Sequence, residues 1–389
     1  MRIVFYYPLT ARIGHHLKEF IKFKSQHAYR KYHYFIPHLF NHSERETAIF
    51  LGVQSRRRTY RQVKCLAWEI INRIHFWKVK RVNRLEELDP KRDVLLIFPF
   101  LSLGYEALIQ DPVVRNYTGL KVFHFSHYFD QPEKMCPLIR TLPHTLIIGE
   151  GQLDQNALYK KFMGEQPFYL LPFALRERYR SFTPFQSRKA KCFAFGTKSR
   201  TNNMYHKAFN ETFQANYLHK LREEIYYKRE EVKEEIDNFI FDWEEWRDHR
   251  PKNRYEKFKR ALEKYIGNER KRFFSFDIVQ KYNEYQTFVS PEEESGAPPI
   301  SFMEGMACGC AYFGRPEFYT GYQMVAGEHF VGYDGTLDDL VKQIRYYQEH
   351  PDLLEQIAHR GEQFVKNHFQ PKKVADNFWQ FLESHLQSL

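Results

Sequence analysis

Between residues 292 and 310 the chain reads Glu292-Glu293-Glu294-Ser295-Gly296-Ala297-Pro298-Pro299-Ile300-Ser301-Phe302-Met303-Glu304-Gly305-Met306-Ala307-Cys308-Gly309-Cys310. It is an acidic strand-end loop with glycine and proline, feeding a small-residue helix that has a glutamate in its first turn. A helix N-terminus offers N–H groups and positive dipole potential to an anion. Glycine lets the backbone come close to a bound group, and nearby carboxylates can accept hydrogen bonds from sugar hydroxyls. These residues favour a diphosphate that carries a sugar. The alternative is a buried α/β turn whose small side chains only pack helix on sheet.

The run Glu304-Gly305-Met306-Ala307-Cys308-Gly309 resembles the donor-binding motif of the family-four-like glycosyltransferases of the two-Rossmann (GT-B) class. The order of the downstream segments is similar too: Gly332-Tyr333-Asp334, a helix-like run from Leu337 to Ile344, then His350-Pro351-Asp352 and Gly361-Glu362. The likeness covers roughly residues 270–385 and the first half only loosely. It implies two Rossmann-like domains facing a cleft. It also implies transfer of a sugar from a UDP- or GDP-linked donor to a glycan or glycolipid acceptor, with retention of configuration and without a metal or other cofactor. The family sets its two glutamates closer together than Glu294 and Glu304 stand here, so the upstream acid is either Glu293 or Glu294. On this resemblance Glu304 holds the ribose, Glu293 or Glu294 the sugar hydroxyls, and Ser295 and Gly296 shape the donor loop. Gly196, Lys198 and Arg200 face the diphosphate, Ser275 and Phe276 the nucleobase, and Gly14 the cleft. His127 stands on the acceptor side, although a structural histidine is an equal reading there.

A length of 389 residues suggests two domains. No apolar run approaches a membrane span and Met1 to Tyr7 begins like a strand, so a soluble, cytoplasmic protein is expected. Five scattered cysteines form neither a disulfide framework nor a zinc site; Cys308 and Cys310, two apart on a helix, point away from each other. The net charge of +11 favours anionic partners. The 26 tyrosines and 36 phenylalanines are not interleaved with basic residues in one patch, so no nucleic-acid module is indicated.

Continuous apolar runs predict buried parallel strands at Ile3 to Tyr7, Val94 to Phe98, Leu120 to Phe125, Thr145 to Gly149, Ala190 to Phe195 and Thr287 to Ser290. Ser126 to Asp130 and Glu150-Gly151 then lie at carboxyl ends of strands, where ligands sit. Residues 55–92 alternate arginine and lysine with Trp68, Trp77 and aliphatic residues. They read either as a crossover helix with a solvated basic face or as a segment lying on an anionic membrane. Residues 204–272 read as a charged helical elaboration with a solvated face. The expected organisation is an acceptor domain over 1–175, a donor domain over 188–370, and a last helix over 371–389 that packs back on the first domain. A phosphorylase, a sugar-nucleotide epimerase and a noncatalytic membrane-docked scaffold are the competing readings.

Overall fold

A computed structural model describes residues 1–6, 35–42, 44–51, 62, 66, 69, 74–97, 109–125, 131–201, 206–242, 253–259 and 276–389. Gly14, His127, Ser275 and the arginines Arg56, Arg57 and Arg58 lie outside the described residues. The chain divides into two compact units: Met1–Ala174 with Met204–Thr212 and Phe369–Leu389, and Leu175–Asn203 with Phe213–His368.

The first unit holds a parallel sheet of β1 (Arg2–Tyr6), β2 (Glu46–Phe50), β3 (Lys80–Val82), β4 (Asp93–Ile97), β5 (Lys121–His124), β6 (Thr145–Gly149) and β7 (Phe168–Leu170), in the order β3-β2-β1-β4-β5-β6-β7. The strands β4, β5 and β6 are buried along their whole length, which is why each reads as an unbroken apolar run. The helix Pro371–Gln387 belongs to this unit. Proline stands in its first turn, and Val374, Phe378, Trp379 and Leu382 pack with Phe35 and Leu39 in one core. The Phe381 ring stacks on Tyr169 with centroids 3.9 Å apart. Part of the basic stretch is neutralised within the unit, since Arg81 pairs with Glu69 at 2.5 Å and Arg92 pairs with Glu46.

One buried cation of this unit has a measurable consequence. Lys121 is fully buried at the start of β5, and its ammonium donates to the carbonyls of Tyr117 at 2.8 Å and Gly119 at 3.2 Å. Burial lowers its pKa to about 8, against an ordinary 10.5. Between those values the unfolded chain binds the proton and the folded one does not, so stability rises with pH across that window. Relative to Lys121→Met, the parent is expected to gain up to roughly 3 kcal/mol from below pH 8 to pH 10.5, read from denaturant unfolding. A difference between the two proteins that stays constant over this range would refute the buried-cation account.

The second unit holds the parallel sheet β8 (Lys189–Lys198), β9 (Ile236–Asp242), β10 (Tyr285–Val289), β11 (Ala311–Gly314) and β12 (Val331–Gly332), in the order β12-β11-β10-β8-β9. The chain runs from β8 outward to β9, then crosses to β10 and continues the other way. The strand order therefore reverses between β8 and β10, whose carboxyl ends open the crevice that an α/β sheet offers a ligand. The expectation of a helical segment over 204–272 is corrected here by β9, which pairs in register with β8 from Ile236 to Asp242. Ile236 and Ile240 enter the core, while Phe239 packs edge-on against Phe193 at 5.2 Å. The β-branched and aromatic residues Ile236, Phe239, Ile240 and Phe241 favour the strand, and the surrounding charges hid it.

Behind β10 the helix Ser301–Ala307 is buried throughout. Gly305 permits this, because a Cβ there would lie 2.3 Å from the Phe288 ring. Gly361, on the helix Pro351–His368, has the same role: a Cβ would meet the His329 carbonyl at 2.3 Å.

Candidate functional site

The end of β8 turns at Gly196, whose φ of 139° is natural only to glycine. The missing side chain is filled by Arg222, since a Cβ on Gly196 would lie 2.8 Å from its Nε. Arg222 comes from the helix Lys220–Tyr227 and is 8 % exposed. It donates to the carbonyls of Thr197 at 3.4 Å and Pro291 at 3.1 Å, and to Ser290 Oγ at 3.4 Å. Its guanidinium thus joins the carboxyl ends of β8 and β10, while its Nε is buried without a hydrogen-bond partner. Burial lowers its pKa to about 10, against the pull of Glu293 and Glu292. The expected solvated charge at this point of the helix is corrected to a buried cation beneath the crevice.

The three consecutive glutamates after β10 have three different surroundings. Glu292 is buried, with the hydroxyls of Tyr312, Tyr319 and Tyr333 on its carboxyl group. Glu293 accepts from Ser295 Oγ at 3.1 Å and lies 3.8 Å from His219 Nε2. Glu294 faces Arg315 at 3.4 Å. Their backbone is tied down: Glu293 N donates to Ala297 O, Gly296 N to Glu293 O with Gly296 at a φ of 86°, and Glu294 N to Leu218 O. His219 Nδ1 lies 3.1 Å from the carbonyls of both Pro291 and Glu292, so this nitrogen carries the hydrogen.

Glu304 is 8 % exposed in the first turn of Ser301–Ala307. It accepts from the Tyr179 hydroxyl, and burial together with the Glu304 charge holds that phenol well above its ordinary pKa. Lys198 is buried between Asp242 Oδ2 and Tyr227 Oη, each at 2.8 Å. Burial would lower its pKa, but those hydrogen bonds win and raise it. Arg200 donates from Nε to Tyr217 Oη at 2.8 Å and, with Thr201, Asn216 and Tyr217, lines a cavity of about 350 Å³. Phe276 packs with Phe193 and Phe239, at 5.8 and 5.4 Å.

The second unit therefore brings Gly196 together with Arg222, and the loop Glu292–Gly296 together with His219 and Arg315. Arg222, His219 and Glu292 were not singled out in the sequence. Only the glycine beside a strand end hinted that a large side chain would fill its place. In the first unit His124 Nε2 meets Glu150 Oε1 at 2.7 Å, at the carboxyl ends of β5 and β6.

Residues 244–380 match a family model described as glycosyl transferase-like. A search of curated proteins by sequence finds no match. Among solved structures, the chain is similar to Anabaena HepE in complex with UDP and glucose, at 12% identity and TM-score 0.52 over 99% of this chain and 100% of that one. It is also similar to a glycosyltransferase from Rickettsia africae, at 11% identity and TM-score 0.51 over 100% and 99%. A sucrose-phosphate synthase from Thermosynechococcus elongatus aligns at 10% identity and TM-score 0.50 over the whole of both chains. At such identities the likeness shows the fold, two Rossmann-like domains. The chain therefore has the GT-B fold, and its glycosyl transferase-like family match lies in the C-terminal part.

Proposed function

We propose that the second unit binds a nucleoside diphosphate sugar, UDP- or GDP-linked, and that the enzyme moves the sugar to a glycan or lipid-linked acceptor. The observation that supports this most is the Arg222 guanidinium, buried beneath Gly196 where β8 and β10 end, with the acidic loop and Glu304 in the same unit. HepE, which shares the fold, is solved with UDP and glucose and with UDP-glucose.

In this reading Arg222, with Arg200 from the segment after β8, offsets the negative charge that grows on the departing diphosphate. Lys198, held by Asp242, fixes the end of β8. Glu304 accepts from the ribose hydroxyls, and Glu293 or Glu294 from those of the sugar. Cations so placed supply the charge a metal would otherwise supply, so transfer needs none. Retention of configuration rests on the family resemblance. A cytoplasmic place, with docking on an anionic membrane through the basic stretch, completes the proposal; no helix among the described residues is long and apolar enough to cross a membrane.

A thermal-shift panel of nucleotides and sugar nucleotides tests the donor. The right one, at about 100 times its dissociation constant, is expected to add about 2.7 kcal/mol to the stability. A panel in which no uridine or guanosine diphosphate sugar raises the unfolding temperature would overturn the donor assignment.

A further inference from the structure

The surroundings of Glu292 raise a question of proton counting. Tyr312 Oη, Tyr319 Oη and Glu292 Oε1 form a triangle with edges of 2.7, 2.8 and 2.9 Å. Each edge is the length of an O–H···O hydrogen bond and needs one hydrogen between its oxygens. The two phenols bring two. Tyr312 also lies 3.2 Å from the Ser290 carbonyl, which would draw its hydrogen away and deepen the shortage. The backbone N–H of Arg315 adds a donor to Oε1 at 3.1 Å, and the Tyr333 hydroxyl one to Oε2 at 3.3 Å, but neither supplies an edge of the triangle.

We infer that Glu292 carries the third proton in the folded enzyme, and that this neutral carboxyl group is a positioning residue that sets the loop Glu293–Gly296 and Arg315 beside the donor crevice. Tyr319 donates to Oε1, the carboxyl O–H donates to Tyr312 Oη, and Tyr312 donates to Tyr319 Oη, so every edge holds one hydrogen. The groups that face Glu292 come from several elements. Arg222 approaches from the helix Lys220–Tyr227, and Arg315 follows β11. Tyr312 lies in β11, Tyr319 follows it and Tyr333 follows β12, while His219 touches the Glu292 carbonyl. Glu293 and Glu294 continue its own loop. The two arginines favour an anion; burial of a residue only 3 % exposed favours the neutral acid. Burial prevails and raises its pKa above the ordinary carboxylate value, against its hydrogen bonds. The positioning role rests on the donor reading given above, whereas the protonation does not.

Two measurements separate these parts. An infrared difference spectrum of parent against Glu292→Gln at neutral pH is expected to show the carbonyl band of a protonated carboxylic acid in the parent. Carboxylate bands in its place would overturn the inference. Steady-state kinetics then compare Glu292→Gln, whose amide NH2 can donate to both phenols while its oxygen accepts from Tyr333, with Glu292→Ala, which leaves buried phenols unpaired. Glu292→Gln is expected to keep the donor KM of the parent. Glu292→Ala is expected to raise it about tenfold or more, with a smaller change in kcat. Should the infrared band appear while a folded Glu292→Ala keeps the parental donor KM, the positioning role falls and the proton stands.

Discussion

Arg222→Met is expected to lower turnover on the order of 100-fold, with a smaller loss of donor affinity, because the charge it offsets grows as the diphosphate departs. The side chain is almost wholly buried, and burial has already pulled its pKa down to about 10. The fold therefore gains little from the charge, and methionine fills the volume of the arginine stem, so the variant should fold. Turnover and donor binding are measured with and without EDTA. The parental rate is expected to survive the chelator. A folded Arg222→Met with parental turnover would remove this cation from the chemistry, and loss of all parental activity in EDTA would point to a metal-assisted reaction.

For Glu304→Gln the expected result is a 10- to 100-fold weaker nucleotide affinity in a folded protein, the scale of a lost charge-assisted hydrogen bond. The amide keeps the shape and can still accept from Tyr179, so the helix Ser301–Ala307 stays in place. Isothermal titration with the nucleoside diphosphate alone reads the effect without an acceptor. Undiminished affinity would place the ribose elsewhere.

The parts of the fold that were legible in the sequence are those with a one-dimensional signature. β1, β4, β5, β6, β8 and β10 are short apolar runs because a parallel strand covered on both faces has no polar side to show. The motif at Glu304 was legible for a similar reason, since small residues must follow one another where a helix lies close on a sheet. β9 was not, because Asp237, Asn238 and Asp242 interrupt its apolar residues inside a charged segment. Nor could the glutamates be told apart. Glu292, Glu293 and Glu294 are chemically identical neighbours, and what separates them is contributed by Tyr312, Tyr319, Tyr333, His219 and Arg315, far away in the chain. Arg222 looked like one more surface charge. Its burial depends on a glycine on another element, which no periodicity along the helix reports.

The helix Pro371–Gln387 completes the core that β1 begins. On the ribosome, then, the apolar face formed by Phe35, Leu39 and their neighbours waits for Val374, Phe378 and Leu382, which emerge after the whole of the second unit. The second unit, whose core ends at Ala358, has all its parts earlier. For these two units the order of synthesis and the order of completion are thus reversed: the unit begun first is completed second, and a chaperone that shields nascent apolar surface would have the longer task on its sheet.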